Sequence, residues 1–186
     1  MHLTYEYYRD DWNERRKRML LLGALRRPRY KRAFEPGCAF GNLAGALAPR
    51  CDHVVAADRD ALAVARARDL LAPLDNVHLS TMRVPHEWPQ GRFDLIVLGE
   101  LLYYLSRAEI RQVARRALQS LEPNGEVVAC HWRYAVPETG ISGDEVHAEL
   151  HGALPLQFAL RHQEPDFILE SWSRDAADVL LPEVAA

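Results

Sequence analysis

Two glycines and two acidic residues give this sequence its clearest chemical meaning. Gly37 and Gly41 lie in the stretch "EPGCAFG", after a short apolar run and before a segment rich in alanine and leucine. Glycine permits positive φ and lets main-chain N–H groups approach a ligand closely. Asp58 ends the next apolar run, about 20 residues further along the chain, where a carboxylate can accept both hydroxyls of a ribose. This pairing favours a cofactor that contains a nucleoside, although a tight turn without ligand, and an N-cap at Asp58 or Asp60, would explain each feature separately.

Glu35 helps to distinguish between nucleoside cofactors. A dinucleotide fingerprint requires three glycines, and the corresponding positions here are Gly37, Ala39 and Asn42. A carboxylate two residues before the first glycine would repel a pyrophosphate, but it would attract an ammonium group. We therefore expect S-adenosylmethionine, whose methionine half carries an ammonium group, rather than NAD.

Alternating strand and helix patterns position these loops. Apolar runs predict strands near 32–35, 53–58, 76–81, 93–100 and 126–132, and helical patterns are found at 11–26, 42–47, 59–71 and 107–121. A turn, "EPNG", closes the last helix, and a final pair of strands is expected around residues 164 and 165. This alternation predicts an α/β, Rossmann-like fold with a mostly parallel sheet and helices on both faces. Such sheets bind ligands beyond the carboxyl ends of their strands, so the site is expected in the loops after Glu35, Asp58, Thr81, Glu100 and Trp132.

Length, charge and cysteine content narrow the class of protein. The 186 residues predict a single domain, and the net charge of -3 gives no overall basic field, which disfavours binding to nucleic acid. The expected divisions are an N-terminal helical lid at 1–30, a core at 31–175 and a loose tail at 176–186. Cys38, Cys51 and Cys130 form no CxxC pair, and neither a signal peptide nor a membrane span is recognisable. We expect a cytoplasmic protein with reduced thiols and no metal site, as a monomer or weak homodimer.

Three stretches resemble a known family. "FEPGCAFG", "VVAAD" and "FDLIVLGELLYYL" resemble the first, second and fourth strand motifs of class I S-adenosylmethionine-dependent methyltransferases, and the set is most similar to the nodulation-protein S group of N-methyltransferases. The resemblance covers roughly residues 5–119. It implies a seven-stranded sheet, with the amino-acid part of the cofactor over Glu35 to Gly41 and its ribose on Asp58.

The sequence departs from the family pattern at two points. Ala39 stands where the family usually has a glycine. The acidic residue that commonly follows the third strand, near the adenine amino group, is absent. With Thr81, Met82 and Arg83 in its place, adenine would be recognised by backbone groups and by apolar contact from Met82.

The candidate site residues follow from the motifs and the resemblance. Glu100 ends the most apolar strand, where a carboxylate can take a proton from an amine acceptor. His131 follows the fifth strand and is a second candidate base or substrate contact, with His147 as its alternative. Tyr103 and Tyr104 are candidate walls of the pocket. The candidate cofactor contacts are Trp12, Glu35, Gly37, Cys38, Ala39, Gly41, Asp58, Arg59, Thr81, Met82 and Arg83.

The sequence thus predicts a methyltransferase that acts on a small molecule, with a sugar amine or a similar amino group preferred by resemblance alone. Alternatives are a non-catalytic protein that binds S-adenosylmethionine and, less favoured, an NAD-dependent oxidoreductase. A nucleic-acid methyltransferase is disfavoured by the balanced charge and by the lack of an Asn/Asp-Pro-Pro-aromatic stretch.

Overall fold

A computed structural model describes residues 11–174, and the expected C-terminal tail lies outside them. One seven-stranded sheet has the strand order β3-β2-β1-β4-β5-β7-β6. Strands β1 to β5 pair in parallel, whereas β7 runs antiparallel to both β5 and β6. The predicted mostly parallel sheet is confirmed. The strands are β1 Tyr30–Pro36, β2 Cys51–Asp58, β3 Val77–Thr81, β4 Phe93–Gly99, β5 Leu121–Trp132, β6 Gln157–Gln163 and β7 Phe167–Ser173.

Helices cover both faces of the sheet. They are α1 Trp12–Ala24, α2 Asn42–Leu47, α3 Ala61–Leu71, α4 Arg107–Ser120 and α5 Gly143–Ala153, with short 3-10 turns at Ala48–Arg50 and Leu102–Tyr104. Hydrogen bonds to N-cap side chains define where several of these helices begin. Asp11 accepts the N–H groups of Asn13 and Glu14, and α4 and α5 each begin with a capping box.

Two apolar layers hold the sheet between the helices. One layer joins α4 and α5 to the sheet around Ile110, Val146 and Trp172. The other joins α1 and α2 to the opposite face around Leu21 and Leu47. The predicted strand 93–100 is β4, whose residues from Phe93 to Leu98 are all buried, as expected for a strand covered on both faces.

The turn "EPNG" differs in detail from its prediction. Its residues lie inside β5, where the register with β4 shifts between the pairs Phe93–Leu121 and Leu95–Glu126. The turn is therefore an irregularity within one strand element. The final pair of strands predicted around residues 164 and 165 is confirmed, and the structure shows it to be the antiparallel β6–β7 hairpin.

Candidate active site

A cavity of about 700 Å³ opens at the carboxyl ends of the parallel strands, where sheets of this kind bind ligands. Its walls come from the loops after β1, β2, β3 and β4, and α1 covers it. The lining includes Glu14, Lys17, Arg18, Leu21, Glu35, Gly37, Cys38, Ala39, Asp58, Arg59, Met82, Arg83, Val84, Glu100, Leu101, Tyr103, Tyr104 and Cys130. Most of the predicted cofactor contacts are therefore brought together.

The loop after β1 carries two left-handed residues that line the cavity. Gly37 has a φ of 74° and Ala39 a φ of 45°, a region that costs an alanine more than a glycine. The N–H groups of Gly37 and Cys38 both donate to the carbonyl of Ala57 on β2. This pairing fixes the loop against the neighbouring strand.

Gly41 has a different role from the one expected of it. It is not among the residues that line the cavity. A Cβ atom at Gly41 would lie 2.7 Å from the Leu71 side chain and 3.1 Å from that of Ala67. The glycine is required because α2 begins tightly against α3, so its role is packing.

Glu35 is the most unusual polar group in the cavity wall. The residue is 4% exposed, and its Oε2 atom has no hydrogen-bond partner within residues 11–174. Burial and then the nearby Asp58 carboxylate raise the pKa of Glu35 to about 8, while Arg18 acts in the opposite direction. An orphaned, buried carboxylate is costly unless a ligand supplies a donor. Glu35 thus fits a cationic group of a ligand.

Asp58 ties the loops after β1 and β2 together. Its Oδ2 accepts the Ala39 N–H at 2.9 Å, and its Oδ1 accepts the Asp60 N–H at 2.9 Å. Asp60, and not Asp58, caps α3 through the Leu62 N–H. Because each carboxylate oxygen has a second lone pair, Asp58 retains capacity to accept hydroxyl groups from a ligand in the cavity.

The loop after β3 offers mainly apolar contact. Met82 and Val84 line the cavity together with Arg83, whereas Thr81 does not. Thr81 is the last residue of β3, and side chains alternate between the two faces of a strand, so its neighbour Met82 reaches the cavity instead. Arg59, from the loop after β2, is also in the wall.

Glu100 belongs to an ionic cluster in the wall of the cavity. Its Oε1 lies 3.0 Å from the Nζ of Lys17, which also lies 2.9 Å from Glu14, and its Oε2 accepts the hydroxyl of Tyr103. The Lys17 ammonium lies 5.9 Å from the centre of the Trp132 ring. Burial alone would lower the pKa of Lys17, but the Glu100 and Glu14 carboxylates outweigh burial and raise it. Lys17 is therefore held as a cation.

Glu100 is also strained, since its φ is 49°. Such a conformation in a residue with a side chain is typical of functional sites, because the surrounding structure must enforce it. The main-chain N–H of Glu100 donates to the carbonyl of Cys130 on β5.

His131 does not fit the expected contact with an acceptor. It is fully buried and does not line the cavity. Its neighbour Cys130 lines the cavity, and alternation along β5 directs the next side chain to the opposite face. His147, the alternative, is buried beside His131, with ring nitrogens 3.2 Å apart.

Trp12 lies at the start of α1 and is 59% exposed, outside the cavity wall. The same helix contributes Lys17 and Arg18 to the wall, which sequence reasoning did not assign to the cofactor or the acceptor. Arg16 fastens the helix through two hydrogen bonds to Glu164 in the β6–β7 turn, at 2.7 and 2.6 Å. The basic run after Trp12 contains Lys17 and Arg18, and it is the sequence signal that points to this part of the cavity wall.

The fold and the cavity define the class of protein. The family model described as "Methyltransferase domain" matches residues 33–125, which is half of the chain. The chain belongs to this family, and its seven-stranded sheet is of the class I, Rossmann-like type.

Relatives place the chain near nodulation protein S. It is 34% identical to nodulation protein S of Sinorhizobium fredii over 116 residues, which cover 62% of this chain and 53% of that protein. The chain thus spans about half the length of the curated relatives it matches.

Solved structures share the fold over most of the chain. A putative methyltransferase from Pseudomonas syringae is 45% identical, with a TM-score of 0.79 over 88% of this chain and 99% of that one. The N-methyltransferase NodS from Bradyrhizobium japonicum WM9 is 25% identical, with a TM-score of 0.79 over 88% of this chain and 97% of that one. The complex of NodS with S-adenosylhomocysteine has the same fold, with 24% identity and a TM-score of 0.81 over 93% of this chain and 92% of that one.

Residues 11–174 contain no group of three His, Cys, Asp or Glu side chains arranged to hold a metal ion. None of the helices in this range has the length and apolar character needed to cross a membrane.

Proposed function

We propose that the protein is an S-adenosylmethionine-dependent methyltransferase that methylates an amino group of a small-molecule acceptor. The observation that carries the proposal is Glu35, a buried carboxylate with an unpartnered oxygen in the wall of the cavity. The ammonium group of the methionine half of the cofactor supplies the missing donor. Arg18 lines the same cavity and suits the carboxylate of the same amino-acid group.

Other residues fit the remaining parts of the cofactor. Asp58 accepts the ribose hydroxyls, and Met82 and Val84 provide apolar contact for adenine in the absence of an acid after β3. When bound, the cofactor supplies a methyl group on a positively charged sulfur, which makes that group intrinsically reactive. The protein then has to orient the acceptor, exclude water and take up the proton that the acceptor loses.

The acceptor side is suited to an amine. An amine attacks only when it is neutral, and a carboxylate close to it can take up its proton. Lys17 shows that an ammonium group can be bound between Glu14 and Glu100, with the Trp132 ring nearby. We propose that Glu100 contacts the acceptor amine. A sugar-like acceptor is what the resemblance to the nodulation-protein S group implies. Trp132 and Tyr134 are half-exposed, with ring centres 5.3 Å apart, but neither lines the cavity.

A second candidate function is a non-catalytic protein that binds S-adenosylmethionine. Both oxygens of Glu100 are engaged, one by Lys17 and one by Tyr103, which is the observation that favours it. Release of S-adenosylhomocysteine from S-adenosylmethionine, measured across a panel of small primary amines that includes glucosamine, separates the two. Catalysis predicts release that depends on the amine, and binding alone predicts none.

The cofactor is tested by thermal unfolding with S-adenosylmethionine, S-adenosylhomocysteine or NAD in excess. A ligand at about 100 times its dissociation constant stabilises the fold by about 2.7 kcal/mol. We expect this shift with both adenosyl compounds and none with NAD. A shift with NAD alone would overturn the proposal and favour an oxidoreductase.

We further propose that the protein acts in the cytoplasm as a monomer or weak homodimer, without binding nucleic acid. Cys38, Cys51 and Cys130 are buried and unpaired, in keeping with a reducing compartment. Sedimentation velocity over a range of concentrations tests the association state. A stable larger assembly would contradict it.

A further inference from the structure

Three buried side chains connect the back of the candidate site to the edge of the sheet. Glu170 on β7, His147 on α5 and His131 on β5 are 0%, 1% and 0% exposed. The Nδ1 of His147 lies 2.6 Å from Glu170, and its Nε2 lies 3.2 Å from the Nδ1 of His131. The Nε2 of His131 accepts the main-chain N–H of Leu102 at 3.3 Å. We call these three side chains the histidine chain.

One arrangement of protons satisfies every contact in the histidine chain. Because the Leu102 N–H is a donor, the Nε2 of His131 must be unprotonated, and its Nδ1 must carry the proton of a neutral ring. That Nδ1–H donates to the Nε2 of His147, whose own Nδ1–H donates to Glu170. Burial, then His147 and Lys17, lower the pKa of His131 well below its usual value.

Glu170, at one end of the histidine chain, acts only as a hydrogen-bond acceptor. Besides His147, Glu170 accepts from the Nε of Arg161 at 2.5 Å and pairs with His151. Burial acts to raise the pKa of Glu170, but its hydrogen bonds with His147 and His151 hold it at about 2. Because ionised Glu170 can only accept hydrogen bonds, it fixes which group donates in each hydrogen bond of the histidine chain.

The close approach of α5 to β5 brings His147 next to His131 and so allows the histidine chain to form. A Cβ atom at Gly143, the first residue of α5, would lie 2.2 Å from the carbonyl oxygen of Trp132 and 3.0 Å from the Cβ of His131. Any other residue at Gly143 would push the helix, and with it His147, away from His131.

The near end of the chain holds the turn that carries the candidate acceptor residues. Leu102 begins the 3-10 turn directly after Leu101 and the strained Glu100. Leu101 packs on Gly37, and the Tyr103 hydroxyl donates to Glu100. The Leu102 N–H therefore anchors a short segment that forms both the cofactor wall and the acceptor wall.

We propose that His131 is a positioning residue: held as the neutral Nδ1–H form by His147 and Glu170, it anchors the Leu102 N–H and so fixes the turn that presents Glu100 and Tyr103 to the cavity. It is not a proton relay, because the chain ends on a main-chain N–H, which does not release its proton. The anchoring itself does not depend on the proposed methyl transfer; only its effect on activity rests on that function.

Two variants separate anchoring from simple core filling. In His131→Gln the side-chain oxygen can take the place of Nε2 and accept the Leu102 N–H, whereas His131→Phe fills the space without an acceptor. We expect hydrogen exchange of the Leu102 amide to be at least tenfold faster in His131→Phe than in the wild type, and close to the wild type in His131→Gln. His53→Phe, at an exposed position on β2, is the matched control and should leave this amide unchanged.

A second measurement keeps the test decisive if His131→Phe does not fold. Long-range ¹H–¹⁵N spectra of the wild-type protein should show His131 neutral, with its proton on Nδ1, from pH 5.5 to pH 8. A proton on Nε2, or titration near the usual histidine pKa, would overturn the proposal, as would equal Leu102 exchange in the Phe and Gln variants.

Affinity for S-adenosylhomocysteine completes the set. It should fall in His131→Phe and recover in His131→Gln, since Leu101 forms part of the cofactor wall. Absence of binding by the wild-type protein would instead count against the proposed function, while the exchange and tautomer results would still decide the role of His131.

Discussion

The Nζ of Lys17 lies 3.0 Å from the Oε1 of Glu100, so an ion pair joins the helix that covers the cavity to the loop after β4. Lys17 also lies 2.9 Å from Glu14 on its own helix. One cation thus separates two carboxylates that would otherwise face each other at the cavity wall.

Replacing Lys17 by methionine should reveal the strength of this cluster. Lys17→Met keeps the apolar stem but leaves Glu14 and Glu100 without their shared cation, so the free energy of unfolding should fall by about 2 kcal/mol. Urea denaturation measures the change. Lys31→Met, at an exposed position on β1, is the control and should change stability by less than about 0.5 kcal/mol. Equal losses in the two variants would show that the cluster contributes nothing specific.

Glu35 should make the stability of the ligand-free protein depend on pH. Its folded-state pKa of about 8 lies above the ordinary value of 4.5, so the folded state binds the extra proton between these values. Stability from this group is therefore complete below pH 4.5 and is lost as the pH rises through about 8. Glu35→Gln should remove this decline and be more stable than the wild type near pH 8. Parallel unfolding curves for the two proteins from pH 5 to pH 9 would contradict the assignment.

The same carboxyl group should link cofactor binding to proton release. An ammonium group requires the ionised form of Glu35, so affinity for S-adenosylhomocysteine should weaken as the pH falls below about 8, by up to about tenfold for each unit. Calorimetry in buffers with different ionisation enthalpies would detect the released proton. Glu35→Gln should bind weakly and without release, and a wild-type affinity in that variant would remove Glu35 as a contact.

Glu100→Gln tests the role of Glu100 towards the acceptor. Glutamine has a similar size: its oxygen can accept from Lys17 and its amide nitrogen can donate to the Tyr103 hydroxyl, but it cannot take up a proton. We expect affinity for S-adenosylhomocysteine to be retained and turnover on an amine acceptor to fall by about 100-fold or more. Glu122→Gln, near the start of β5 and outside the cavity wall, is the control and should leave turnover unchanged. Full activity of Glu100→Gln would exclude Glu100 as the base.

Ala39 offers a test of backbone strain in the cofactor loop. Its φ of 45° is costly for alanine, so Ala39→Gly should be neutral or stabilise the fold by up to about 1 kcal/mol. Ala65→Gly, at an exposed position inside α3, should destabilise by about 1 kcal/mol. A loss in Ala39→Gly as large as that in Ala65→Gly would mean that the strain has been overestimated.

The parallel core could be predicted from the sequence because apolar strand runs and the loop residues that follow them are recognisable over short stretches of the chain. β4 was recognisable as a continuous apolar run, and the loop at Gly37 and the acid at Asp58 were found by their order along the chain. Helix α5 was not assigned as a helix, although its Ser142–Glu145 capping box was present in the sequence. The turn at 122–125 was recognised, but its place inside β5 depends on pairing with β4, which no local pattern encodes.

The candidate site could be predicted only in part, because some of its residues follow strand ends and others depend on register and on long-range packing. Glu35 and Glu100 follow directly from strand ends, and both line the cavity. His131 was assigned from its position after a strand, but the face on which a strand residue lies depends on register, and Cys130 faces the cavity instead. The contact of Lys17 with Glu100 joins residues far apart in the chain, and only the packing of α1 over the sheet brings them together.

The Arg16–Glu164 contact ties the covering helix to the last hairpin, and neither partner lies within residues 33–125, which the family model matches. Lys17 and Trp132 lie outside that segment as well. The covering helix and the end of β5 thus lie outside the matched segment, whereas Glu35, Asp58 and Glu100 lie within it. A substitution in either flanking segment can change the surroundings of Glu100 without altering the motifs of the matched segment. Two proteins that share the family match can therefore differ in their acceptors.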